Sequence, residues 1–208
     1  MPDTNPMKLW EGRLRHAAGD VRVDASELAA FRDDAGHRRR VDPWLLAHAF
    51  GVDATSLHLD DATAREEPWL ALWACLHQPA RDTSTWREGE GPLFRHLHAR
   101  AIEVWTEGEL AGLHALWWLA RRDDSLMRRA RSAAAWLIAE LQPDNATQRP
   151  WAIHAFAELA AEGDIEADVY AQTLLLNATA GRDKPDRFSA AILVDAAQYL
   201  SDPDSTRR

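Results

Sequence analysis

An all-α fold of stacked antiparallel helical hairpins, an α/α solenoid or partial toroid, is what this chain predicts. Three observations carry that reading. Apolar residues recur at three-and-four spacing along most of the 208 residues, the period of a helix face turned to a core. No segment sustains the alternation of β-branched and polar residues that a strand requires. Helix punctuation is frequent, with prolines at starts and stops, acids at capping distance and glycines just past apolar stripes, and it marks roughly eleven helices.

Residues 1–6 read as a polar tail, 7–200 as a single helical domain and 201–208 as a second tail. The first helix carries Trp10, Leu14 and Ala17 and stops at Gly19. Asp24 and Glu27 stand at capping-box spacing ahead of Leu28 and Phe31. Gly36 to Arg40 is a basic loop. Asp42-Pro43 opens a helix that ends at Phe50-Gly51, and Asp53 caps a turn beyond it. Thr63 and Glu66 repeat the capping-box spacing before Trp69, Leu72, Trp73 and Leu76, and Pro79 ends that helix. Residues 79–91, with Gly89 and Gly91, form the longest irregular stretch and the place for a sub-domain boundary.

A helix with Phe94, Leu97, Ala101, Val104 and Trp105 is expected next. Thr106 and Glu109 would then cap another, apolar nearly all round (Leu110, Leu113, Leu116, Trp117, Trp118, Leu119), which belongs at the centre of the fold. Gly112 within it leaves room for a neighbour. The stripe from Leu126 to Leu141 is stopped by Pro143, which forces its predecessor out of the α region. In the connector, Gln142, Asp144, Asn145 and Thr147 can satisfy helix-end groups, and Pro150 suits the first turn of the next helix. Gly163 and Asp164 separate that helix from one bearing Tyr170, Leu174 and Leu175. The last carries Ala190, Leu193, Val194, Ala197 and Leu200.

A faint repeat runs through these elements. Leu113-His114-Ala115 lies forty residues before Ile153-His154-Ala155, Leu193 continues the spacing, and Pro-Trp opens helices at 43, 68 and 150. Hairpin repeats of this length build solenoids and toroids.

Composition narrows the function classes. The formal net charge of −9 gives no general attraction to nucleic acid or to an anionic membrane. No apolar run reaches the ~18 residues of a membrane span, and no charged-then-apolar leader opens the chain, so a cytoplasmic location is expected. Cys75 is the only cysteine, which fits a reducing compartment. Its neighbours Leu72, Trp73 and Leu76 mark it as a buried, inert thiol.

Candidate chemistry centres on His48, His114 and His154, each followed by Ala and then Phe or Leu. The repeat would turn His114 and His154 toward one pocket; the plainer reading is helix histidines satisfied by neighbouring groups. His96 and His98 diverge around a helix, and no Cys/His cluster exists, so no metal is expected. The acidic pairs Asp60-Asp61, Glu66-Glu67 and Asp123-Asp124 read as caps and dipole partners. Neither a phosphate loop nor a nucleophile elbow appears, so no cofactor and no catalytic residue are assigned. Residues 43–60 are similar to a helix-turn-helix, but the second helix would run from Ala54 to Asp60 without Arg or Lys, which disfavours a nucleic-acid partner.

Arg131, Trp136-Leu137, Gln142 and Trp151 resemble the Gln-Trp repeat of the terpenoid-cyclase and prenyltransferase-like α/α toroids. The resemblance covers residues 131–151. It implies a hairpin tied by a glutamine that caps a helix end and a tryptophan stacked on it. The DxDD acid motif of the cyclases is missing, so cyclase activity is not implied.

The function expected from these residues is a non-enzymatic helical-repeat module binding a protein partner, or itself as a homo-oligomer, through a tryptophan-bearing groove. The alternative is an enzyme or small-ligand binder with a toroid-like pocket near residues 142–154, using Asp144, Asn145, Trp151, His154 and His114. DNA binding through residues 43–60 is the third class. A closed bowl with converging His and Asp would favour a ligand, and an open concave face a protein.

Overall fold

The computed structural model describes residues 5–28, 30–97, 100–141, 148–180 and 182–201. These form ten α-helices and three short 3-10 turns, with no strand among the described residues. The helices are α1 (Pro6–Ala18), α2 (Ala25–Leu28), α3 (Asp42–Phe50), α4 (Asp61–Glu66), α5 (Trp69–His77), α6 (Ile102–Ala120), α7 (Met127–Glu140), α8 (Ile153–Ala161), α9 (Ile165–Thr179) and α10 (Arg187–Ser201).

Several boundaries arise as their sequence dictates. At α2, Asp24 accepts the N–H groups of Ser26 and Glu27, while Glu27 accepts that of Asp24, a reciprocal capping box. Asp164 accepts the Ala167 N–H at the start of α9. At α4 the cap is Asp60, which accepts the Thr63 N–H at 2.8 Å, and not Thr63 as its spacing to Glu66 suggests. Glu66 and Glu67, read as caps, instead close on Arg40 at 2.7 and 3.5 Å.

The largest departure concerns residues 92–109. One helix, α6, replaces the two expected, and Thr106 lies inside it with its hydroxyl donating to the Ile102 carbonyl. The fully buried Glu109 carboxylate reaches backward instead, accepting the Leu93 and Phe94 N–H groups, both at 2.6 Å, and the Trp105 indole N–H at 3.1 Å. With those donors met by a side chain, the described residues of the preceding segment hold the 3-10 turn Arg95–Leu97. Phe94 then lies on the α6 backbone at Gly112, where a Cβ would come within 2.4 Å of its ring, and Trp69 does the same at Gly108 at 2.7 Å.

Five helices close a ring. Helix α3 packs on α5, α5 on α6, α6 on α8, α8 on α10, and α10 back on α3. Their starts and ends match. Trp69 lies against Gly108, and Arg122 just beyond α6 donates to the Leu76 carbonyl near the end of α5. Trp151 ahead of α8 meets Glu107 early in α6, and Glu158 meets Trp117. Phe188 at the start of α10 faces Trp151, and Tyr199 near its end meets Glu158. Arg39 ahead of α3 covers Phe188, and Gln198 donates to the Ala49 carbonyl. The ring helices therefore run in one sense. Helices α7 and α9 return outside them, and α1 lies across α8 and α10.

This is a closed arrangement, not an open solenoid. Leu113, Ile153 and Leu193 are fully buried on α6, α8 and α10, so the forty-residue spacing corresponds to one ring helix plus one return. The buried apolar side chains form a single cluster from Trp10 to Leu200. Six of the ten tryptophans are buried and the other four half-buried. Helix α3 ends at Gly51 with φ 64°, and residues 52–60 hold a turn in which Asp53 takes the Thr55 N–H. The helix-turn-helix-like segment thus lacks its second helix. No helix among the described residues is long and apolar enough to cross a membrane.

Candidate functional site

The interior of the ring is polar at its centre. Asp195, fully buried on α10, accepts three N–H groups: His48 Nδ1 at 2.7 Å, His114 Nε2 at 2.9 Å and Trp118 Nε1 at 2.6 Å. Burial opposes its charge, but the nearby His48 and the hydrogen bonds from both imidazoles outweigh burial and hold its pKa well below the usual carboxylate range. The other nitrogen of His114 accepts the Ala152 N–H at 3.1 Å, so its proton sits on Nε2. Ala152 adopts φ 56°, the one left-handed non-glycine residue among those described. Burial lowers the His114 pKa against the pull of Asp195.

His154 differs. Its ring lies 4.2 Å from that of His114 and 4.7 Å from Tyr199, yet neither nitrogen meets a hydrogen-bonding group of the protein. Burial, reinforced by neighbouring His114, pushes its pKa well below the ordinary value. The plain expectation of helix histidines satisfied by neighbours holds for His48 and His114 and fails for His154. No three His, Cys, Asp or Glu side chains among the described residues are placed to hold a metal ion.

The N-terminal end of the ring is open to solvent as a cleft of about 470 Å³. Val104 is the exposed apolar side chain at its rim, and Val41, Trp69, Gly108 and Trp151, from the N-terminal parts of four ring helices or just ahead of them, lie almost wholly covered beneath it. Helix first turns carry unpaired N–H groups and partial positive charge. Arg38, Arg39, Arg40 and Arg100 stand around the cleft against Glu67 and Glu107, an excess of cation in a chain of net charge −9.

Two of the arginines near this end are structural. Asp33, almost covered, accepts from Arg39 at 2.6 Å and from Arg149 at 3.0 Å. Burial works against its charge, but bonds from Arg39 and the His37 N–H, with the attraction of both arginines, bring its pKa down to about 2. Arg149 also reaches Asp186 at 3.3 Å, and both guanidiniums lie 4.8 Å from the Phe188 ring. Asp42 is raised to about 6, because its burial outweighs the Arg39 N–H bond it accepts. Arg38, in contrast, is exposed and makes no ion pair among the described residues, and Arg100 donates to the Glu66 carbonyl oxygen at 2.6 Å with the Glu67 carboxylate near enough to feel its charge. The cleft thus offers cationic surface over a covered aromatic floor. No nucleophile–base pair lines it among the described residues.

The chain matches no protein-family model, no curated protein and no solved structure.

Of the residues expected at a site, Trp151 lines the cleft and donates to Glu107 at 3.3 Å. His114 lies behind it, 5.6 Å from ring to ring, and His154 lies deeper still. Both histidines are fully buried core residues. Asp144 and Asn145, like Gln142 of the Gln-Trp resemblance, lie outside the described residues. The sequence pattern did not single out Asp33, Arg149 or Asp195, and marked Trp69 only as a core residue. For Asp195 a signal existed, a lone carboxylate inside the apolar run Ala190–Ala197.

Proposed function

We propose that this chain is a binding module for a small anionic molecule with an apolar body, seated in the cleft at the N-terminal end of the helix ring. One observation carries the reading: Arg38, exposed and without an ion pair among the described residues, and Arg100, held on the Glu66 carbonyl with Glu67 nearby, stand over the covered rings of Trp69 and Trp151 where parallel helices begin. A volume of about 470 Å³ lies within the range of small-ligand pockets. Asp33 holds Arg39 and Arg149 on Phe188 before any ligand arrives, so the walls are preorganised. The closed ring also supports a ligand reading over a partner-binding open solenoid. No catalytic residue is assigned. We place the protein in the cytoplasm, which suits its one cysteine, the buried free thiol of Cys75.

The test uses 8-anilinonaphthalene-1-sulfonate, an amphipathic anion whose fluorescence reports binding. Saturable binding at one site is expected. Arg38→Gln with Arg100→Gln should weaken it ~5- to 30-fold without changing the melting temperature, as two partly solvated ion pairs contribute ~1–2 kcal/mol together. N-phenyl-1-naphthylamine, which lacks the sulfonate, should bind correspondingly less well. Binding that ignores both arginines, or equal affinity for the two probes, would refute the assignment.

A further inference from the structure

We infer that α9 carries a two-fold, antiparallel interface between two copies of this chain. The observation is a stripe on its outer face. Ile165, Val169 and Leu176 are 79%, 58% and 68% exposed, the three most exposed large apolar side chains among the described residues. With Gln172, also exposed, they recur at intervals of four, three and four, the spacing of a coiled-coil seam. Single exposed apolar residues are ordinary; three in one row on one helix mark a contact surface. The opposite face of α9 already buries Ala167, Tyr170, Ala171 and Leu174 against the body of the protein, so this helix is apolar on both sides and covered on one.

Charge identifies the occupant. The first turn of α9 is acidic, with Asp164, Glu166 and Asp168. Its far end borders a groove of about 590 Å³ shared with α1, where Arg13, Arg182 and Lys184 outnumber Asp183 beside Leu175 and Leu176. A second α9 laid antiparallel sets each acidic end toward the other copy's basic groove, whereas a parallel one would stack acid on acid. Placing the two-fold axis midway between Val169 and Gln172 sets Ile165 against the partner's Leu176 and Val169 against the partner's Gln172. Gln172 is prepared for that position, because its amide already donates to Asp168 at 2.5 Å and leaves its aliphatic stem outward. A helix of 15 residues spans ~22 Å, which supplies less than the ~800 Å² per partner of a standard interface. The dimer is therefore a weak one that forms at micromolar concentrations and above.

Sedimentation velocity between ~5 and ~300 μM, a range chosen for a weak interface, reads this directly. The weight-average coefficient should rise with concentration, less steeply in high salt. Ile165→Glu with Leu176→Glu should stay monomeric throughout at an unchanged melting temperature, since both side chains face solvent. Orientation is read by oxidative cross-linking. Ile165→Cys combined with Leu176→Cys should give covalent dimer, and either cysteine alone should not. A monomer at every concentration, a dimer that survives the glutamates, or cross-linking by a single cysteine would each overturn the interface proposed.

Discussion

His114 and His154 occupy matching positions on α6 and α8, yet replacing each by leucine should move stability in opposite directions. His154 is fully buried and both its nitrogens lack a protein partner. An unsatisfied buried polar group costs ~1–3 kcal/mol, whereas a leucine of similar size asks for none. Imperfect shape returns part of that gain, up to ~1.5 kcal/mol, so His154→Leu should stabilise by about 1 kcal/mol at pH 7.5, or ~2–4 °C in a domain of this length. The pH dependence sharpens the test. The folded-state pKa of His154 is depressed, so above the unfolded value of ~6.5 both states are neutral and no linkage acts. Below it the unfolded chain takes up a proton that the folded one refuses, and stability falls as pH falls. One such histidine accounts for up to ~1.4 kcal/mol between pH 7.5 and 5.5. The advantage of His154→Leu should therefore grow to roughly 2.5 kcal/mol at pH 5.5. Asp42, raised to about 6, acts in the opposite sense but is common to both proteins and cancels. His114→Leu removes a donor from Asp195 and the acceptor of the Ala152 N–H, and should cost ~3–5 kcal/mol. Urea unfolding at the two pH values measures all of this. A loss above about 1 kcal/mol for His154→Leu at pH 7.5, or a pH slope equal to that of the parent protein, would refute the reasoning.

Trp117, fully buried with its indole N–H donated to Glu158 at 2.6 Å, should cost ~3–5 kcal/mol when replaced by alanine; a loss below ~1 kcal/mol in chemical denaturation would put α6 at the periphery of the core. Gly112→Ala sets the intrinsic helix preference for alanine, ~1 kcal/mol, against a methyl 2.4 Å from the Phe94 ring. The clash should win, giving a net loss of ~1–2 kcal/mol; a melting temperature that rises instead would mean that Phe94 moves aside freely.

The chain by itself determined what is decided within a few residues. Asp24 with Glu27, Gly51, Gly163 and Asp164 end or begin helices because caps act on backbone groups two to four positions away. The all-round apolar pattern of residues 110–119 placed α6 centrally, and the Pro-Trp pairs at 43 and 68 marked the openings of α3 and α5, since burial pattern and proline geometry are also local properties. Pro150, in contrast, lies ahead of α8, which begins only at Ile153 after the left-handed Ala152. Tertiary structure decided the rest. Thr106 and Glu109 look like a capping box, but Glu109 meets the N–H groups of Leu93 and Phe94, which only the folded-back segment brings to it. Asp195 is anchored to His48, 147 residues away, and to His114, 81 residues away. Asp33 joins Arg39 to Arg149 across 116 residues. Such partners are chosen by closure of the ring. A lone carboxylate in an apolar run shows that some donor must be found, because its buried charge could not otherwise be stable, but helices that all bury similar alanine- and leucine-rich faces leave open which of them supplies it.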